Sequence, residues 1–201
     1  MEDNFVVRTA PGEPATQWGA NIVGEQDGFL VKMDYQTARY AAECARWYAV
    51  SGDESHKEKA YRSLNWVTYC NNPVGQAFES PVSKDVSNWW SDCYGECPRM
   101  FYHAFTGVPE WAPPRENHIL YSEVVLKDVS YAARKIQYTP TDGAGMEYLR
   151  LAFRLIRITV NGAKLPLRSD LGAEGYTVTD LGKGDFAVRI RRTTAGKLTV
   201  Q

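Results

Sequence analysis

From Tyr35 to Val50 the small residues Ala38, Ala41, Ala42, Ala45 and Ala49 recur at helical spacing, which predicts a helix beginning near Asp34 with one alanine face. A face this small lets another helix approach closely. Ser51-Gly52-Asp53 breaks the period, and Ser55 with Glu58 has the S-x-x-E spacing of a capping box that opens a second helix. Ala60, Leu64 and Val67 carry that helix to about Cys70, where Asn71-Asn72-Pro73 stops it. Two helices joined by so short a turn form an antiparallel αα-hairpin. A third helical segment is predicted near Ser87, followed by a fresh helix with Pro98 as its first residue, running to Phe105 and closed by Gly107. Residues 1–32 carry Pro11, Gly12, Pro14, Gly19, Gly24 and Gly28 with weak apolar periodicity, and are expected to be irregular or extended.

From Ile119 the period changes to two. Strands are predicted at Ile119–Leu126, Ser130–Tyr138, Glu147–Phe153, Arg157–Val160, Lys164–Pro166, Tyr176–Asp180, Asp185–Arg192 and Lys197–Val200. Asn161-Gly162 between two of them is the strongest hairpin signal in the chain. Val108 to Pro114 reads as a Pro-rich aromatic linker, giving a helical region at 1–114 and a strand region at 115–201. The expected fold class is therefore α+β: N-terminal helical hairpins followed by a C-terminal antiparallel β-sandwich.

Charge and composition narrow the partners. With 23 basic and 24 acidic residues the net charge is -1, so nothing global favours nucleic acid. The charges are unevenly placed: 13 basic and 8 acidic residues follow Ile119, whereas 10 basic and 16 acidic precede it, together with all six tryptophans. No run of about 20 apolar residues predicts a membrane span, and the acidic start lacks the apolar region of a signal peptide. The compartment stays open. Four cysteines are too few for a disulfide scaffold. Cys44 and Cys70 fall roughly 14 Å out of register across the hairpin, beyond bridging distance. Cys93, Cys97 and His103 have a C-x3-C-x5-H spacing that matches no common structural zinc template, so neither a metal nor a cofactor is expected.

Candidate chemistry concentrates between Asp85 and His103. Asp92, Glu96 and His103 are the acid/base candidates, and Trp89, Trp90, Tyr94 and Arg99, with Asp34, are the substrate-binding candidates. Aromatic faces stack on sugar rings while Asp, Glu, Arg and His hold hydroxyls or move protons. Tryptophans of a helical core have the same sequence pattern. Asp92 and Glu96 on one continuous helix would be neighbours at about 5 to 6 Å between Cβ atoms, close to a retaining glycosidase pair, but Gly95 and Pro98 interrupt that helix. A pairing of Asp34 with Asp92 is the alternative, and the sequence does not choose.

The αα-hairpin with its small-residue stripe, the Trp89-Trp90-x-Asp92-x-Tyr94-Gly95 run, the linker and the strands resemble the C-terminal end of an (α/α)6-toroid protein of the six-hairpin glycosidase and polysaccharide lyase type. Within the strand region the resemblance is carried by Asp128-Val129-Ser130-Tyr131, Arg134 to Tyr138, Glu147 to Leu151, Val160 to Leu165, Gly175-Tyr176 and Gly184 to Ile190. It covers about residues 30 to 200, in motifs that are structural rather than catalytic. It implies a carbohydrate-processing protein, glycoside hydrolase or polysaccharide lyase-like, or a fragment of one. A non-catalytic carbohydrate-binding or protein-interaction module is the other expectation. The chain has room for only a few of a toroid's helices, so its alanine stripe would lack neighbours and a homodimer through the helical region is expected.

Overall fold

The computed structural model describes residue 2 and residues 6–7, 19–26, 29–32, 34–70 and 96–201. Two compact units divide the chain, Met1–Val108 and Pro109–Gln201. The expected boundary between residues 114 and 115 falls inside the second unit. The fold is α+β, with helices in the first unit and antiparallel sheets dominating the second.

In the first unit, strands β1 (Val6–Val7), β2 (Ile22–Gln26) and β3 (Phe29–Lys32) form a small antiparallel sheet in that order. Of the irregular or extended backbone expected over residues 1–32, the described strand residues take the extended form, paired into a sheet. The apolar pair Ile22 and Val23 is buried, and the Val23 amide donates to the Thr37 hydroxyl at 3.0 Å, so a helix side chain holds the strand that its own sequence specifies weakly.

Helix α1 (Asp34–Ser51) starts where the Asp34 carboxylate accepts from the Tyr35 amide at 2.7 Å. It ends where Gly52, at φ 71°, closes its N–H on the Tyr48 carbonyl at 2.8 Å. Helix α2 (Glu54–Thr68) is capped by Asp53, whose carboxylate accepts from the Ser55 amide at 2.9 Å. The expected Ser55/Glu58 box is not formed, because Asp53 stands ahead of it and takes the orphan donor, while Glu58 pairs with Arg62 one turn on. Helix α3 (Glu96–Gly107) begins before Pro98, which sits in its first turn where a missing N–H costs nothing.

Helix α1 packs on α2, α3 and β2. Ala38, Ala41, Ala42 and Ala45 are fully buried, and only Ala49 of the stripe is exposed. The stripe is thus covered within the chain, and the homodimer expected from a bare stripe loses that ground. Gly107 shows how close the approach is: a Cβ there would fall on the Ala45 carbonyl. Leu64, Trp66 and Val67 from α2 and Met100 and Ala104 from α3 complete the core, the larger ones contributing about 1.5–3 kcal/mol each.

The second unit holds a four-stranded antiparallel sheet, ordered β10 (Gly175–Gly182), β11 (Asp185–Arg192), β7 (Gly145–Leu151), β4 (His118–Ser122). Its five-stranded antiparallel sheet runs β5 (Leu126–Ala132), β6 (Lys135–Pro140), β12 (Leu198–Val200), β8 (Ile158–Val160), β9 (Ala163–Lys164). Tyr176, Leu149, Leu151, Val188 and Ile190 of the first sheet share one buried cluster with Ile136, Tyr138, Ile158, Val160, Leu198 and Val200 of the second. Asn161 (φ 49°) and Gly162 (φ 84°) turn β8 into β9, as their sequence predicts. The single strand expected over Ser130–Tyr138 is instead a hairpin, with β5 turning at Ala133-Arg134 into β6 so that Ala132 faces Lys135. That turn carries no glycine, asparagine or aspartate to announce it.

Two arginines bind the ends of this unit. Arg192 and Glu147 form a fully buried ion pair at 2.6 Å, and Arg192 Nη1 donates to the carbonyls of Asp142, Gly143 and Thr194. Burial pushes the Glu147 carboxyl up against the opposing pull of Arg192. Arg150 pairs with Asp185 at 2.7 Å and donates to the carbonyls of Pro109 and Ala112, which is why the Pro-rich stretch belongs with the strands. Burial would raise Asp185, but Arg150 and the Arg115 amide outweigh it and hold the carboxyl below its ordinary range.

Candidate functional site

The residues singled out from the sequence do not assemble into one described site. Asp92, Trp89, Trp90 and Tyr94 lie outside the described residues, as does the helical segment expected near Ser87. Glu96 is the first residue of α3, and its side chain likewise lies outside what is described. Arg99 is exposed and His103 half-buried on that helix. Asp34 is only 2% exposed. One of its oxygens takes the Tyr35 amide and the other the Cys97 thiol at 3.2 Å, tying the first residue of α1 to the second of α3. Burial raises the Asp34 carboxyl above its ordinary value, with both hydrogen bonds opposing. Cys44, Cys70 and Cys97 are buried, and burial raises the thiols of Cys44 and Cys70. Among the described residues no three His, Cys, Asp or Glu side chains come together to hold a metal. No described helix is long and apolar enough to cross a membrane.

The described polar chemistry of the first unit gathers along the α1–α2 hairpin. At its tip Trp47 is 55% exposed, unusual for the residue type with the largest apolar surface. The His56 ring meets the indole edge-on, with centroids 6.4 Å apart and planes at 65°. His56 Nδ1 lies 3.0 Å from the second oxygen of Asp53, the carboxylate that caps α2 with its first. The Ser55 hydrogen bonds, with His56 adding to them, hold the Asp53 carboxyl below its ordinary value. An ionised carboxylate only accepts, so the Nδ1 of His56 carries the proton. Nε2 then accepts when the ring is neutral and donates when it is charged. On the next positions Lys57 lies 4.9 Å over the Tyr48 ring, and the Tyr48 hydroxyl donates to Glu54 at 3.1 Å.

Further along the hairpin, Tyr40 of α1 and Lys59 of α2 converge on Glu2. Lys59 Nζ reaches both carboxylate oxygens, at 2.8 and 3.0 Å, and the Tyr40 hydroxyl donates to one of them at 2.7 Å. Tyr40 in turn accepts from Asn21 Nδ2 at 2.8 Å, and the Asn21 carbonyl accepts from Ser63 of α2 at 2.8 Å. Hydrogen bonds from Lys59 and then Tyr40 lower the Glu2 carboxyl, and His56 adds a weaker attraction. The arrangement offers an exposed indole, an oriented imidazole and a preorganised ammonium–phenol pair. These are groups that bind and orient a polar ligand with an apolar face.

The spacing Asp53-x-x-His56 at a helix start was available to sequence reading, whereas the exposure of Trp47 and the reach of Glu2 to Lys59 are tertiary. Compared with protein families, with curated proteins and with solved structures, the chain matches none.

Proposed function

We propose that the chain belongs to a carbohydrate-processing protein and that its α1–α2 hairpin contacts glycan. In this reading the hairpin is one of the hairpins of a six-hairpin toroid, and the two sheets of the second unit are the sandwich appended to it. The observation that carries it is Trp47: a large apolar ring, 55% exposed, flanked by a hydrogen-bonding imidazole–carboxylate pair. A sugar ring presents an apolar face and a rim of hydroxyls, and this pairing matches both.

Catalysis by Asp92, Glu96 and His103 is a separate element of the proposal. Binding without turnover is the second reading, supported by Asp34, whose carboxylate is buried against the Cys97 thiol rather than presented to a substrate.

Isothermal calorimetry against a panel of plant and algal oligosaccharides tests the binding. Trp47→Ala is expected to weaken the best ligand at least ten-fold, about 1.4 kcal/mol. Equal affinity in both forms removes Trp47 from the role. Reducing-sugar release by the wild type, absent in Asp92→Asn, separates the enzyme from the binding module.

A further inference from the structure

We infer that the second unit carries a binding site for a free α-amino acid, with the ligand carboxylate on Arg191 and the ligand ammonium on Glu123, in a cavity of about 350 Å³ that both residues line. The site shares no residue with the hairpin read as a glycan contact, so either can fail without the other.

The two charges are set on either side of Met146. Glu123, just past the end of β4, donates its amide to the Met146 carbonyl at 3.1 Å and accepts the Met146 amide on Oε2 at 2.9 Å. On its other side Met146 of β7 stands opposite Arg191 of β11, so a carboxylate and a guanidinium flank one apolar residue. Each is held by part of its polar atoms only. Nη1 of Arg191 donates to the carbonyls of Leu171 and Gly172 at 2.7 and 3.0 Å, in a loop where Asp170 accepts the Gly172 amide at 2.8 Å. Nε and Nη2 of Arg191 form the edge that meets a carboxylate with two parallel hydrogen bonds. Among the described residues that edge has no hydrogen-bond partner, and neither has Oε1 of Glu123. Nor do Glu123 and Arg191 form an ion pair with each other, although both line the cavity. The other guanidinium in the wall, that of Arg192, is already matched by Glu147. One carboxylate and one guanidinium are therefore left for a ligand. A simple anion would face Glu123 and a simple cation would face Arg191, whereas an α-amino acid answers both with the groups on a single carbon. The cavity lies at the small end of the range of ligand pockets, which suits a molecule of that size, and Ala144 with Met146 gives its side chain an apolar wall. Glu123 and Arg191 are both exposed, so a solute reaches them without unfolding the sheet.

NMR titration of the full chain with L-leucine, N-acetyl-L-leucine, L-leucinamide and inorganic phosphate tests the site. Leucine is expected to move the signals of Glu123, Met146 and Arg191. It should bind about ten-fold or more tightly than N-acetyl-leucine, which lacks the ammonium, and than leucinamide, which lacks the carboxylate. In Glu123→Gln, whose amide oxygen can still accept from Met146, the preference for leucine over N-acetyl-leucine should vanish. In Arg191→Gln the preference for leucine over leucinamide should vanish instead. Melting curves confirm that each variant is folded, and the ligand series on wild type decides the matter should a variant not fold. No shift with leucine at millimolar concentration overturns the proposal, as does phosphate moving the same signals equally strongly. N-acetyl-leucine or leucinamide binding wild type as tightly as leucine also overturns it, as does either preference surviving the variant meant to remove it.

Discussion

The same contact, a carboxylate against a cation, is made in opposite ways in the two units. In the second, Arg192 spends Nε and Nη2 on Glu147 and Nη1 on three backbone carbonyls, with both side chains wholly buried. In the first, Lys59 meets Glu2 with both partners still partly in water. Arginine's planar fork serves several acceptors in fixed directions, whereas an ammonium is a point charge that adapts to whichever anion arrives. A sealed pair of the first kind fixes the ends of strands and cannot be traded for a solute. An open pair of the second kind stays in contact with water and is weakened by salt. Framework and candidate site are thus distinguished by how far each ion pair is withdrawn from solvent.

The sharpest way to break the framework is Arg192→Ala. It leaves Glu147 buried with no cation and strands the carbonyls of Asp142, Gly143 and Thr194, and a loss of about 3–5 kcal/mol in urea unfolding is expected. Combining Arg192→Met with Glu147→Leu removes both charges and should recover most of that loss, because the cost lies in the unpaired charge rather than in the pair's net attraction. A single variant as stable as wild type would show that water reaches Glu147.

Packing in the first unit is tested at Gly107. A Cβ added there collides with backbone at Ala45, not with a side chain that can rotate away, so α3 must shift off α1. Gly107→Ala is expected to cost about 1–3 kcal/mol, read as a lowered Tm of the helical signal. An unchanged Tm would mean that α1 and α3 are less closely packed than Ala45 and Gly107 imply.

The helices were legible because alanines at helical spacing and Gly52 act locally, and both do in the fold what their sequence predicts. Asn161-Gly162 is legible for the same reason. The β5–β6 turn was not, since Ala133 and Arg134 reverse the chain through strand pairing rather than through turn-forming residues. Strand β2 was hidden because its anchor is Thr37, a residue of the following helix. In the candidate site, composition pointed to tryptophan without saying which one faces water. Trp47 and Trp66 lie on the two helices of one hairpin, yet one is 55% exposed and the other 1%. That difference is created only when α1 and α2 pack. Glu2 and Lys59 are brought together by tertiary structure alone, and no local pattern anticipates them.

The smallest effect sharpens the comparison most. At pH 7 the Glu2–Lys59 contact should contribute only about 0.2–1 kcal/mol to stability, the range of partly exposed pairs, so Glu2→Gln should melt slightly below wild type. The folded carboxyl of Glu2 is held below its ordinary value, chiefly by the Lys59 hydrogen bond. Its contribution is therefore fully present above the unfolded glutamate value of about 4.3 and is lost as pH falls through the lower folded value. The gap between wild type and Glu2→Gln should close in that acid window. It should also shrink at about 1 M salt, where the screening length is near 3 Å, while the loss caused by Arg192→Ala, deep in the core, should change little. A Glu2 gap that persists in high salt would mean that this carboxylate is sealed like Glu147, and the contrast between the two ion pairs would fall.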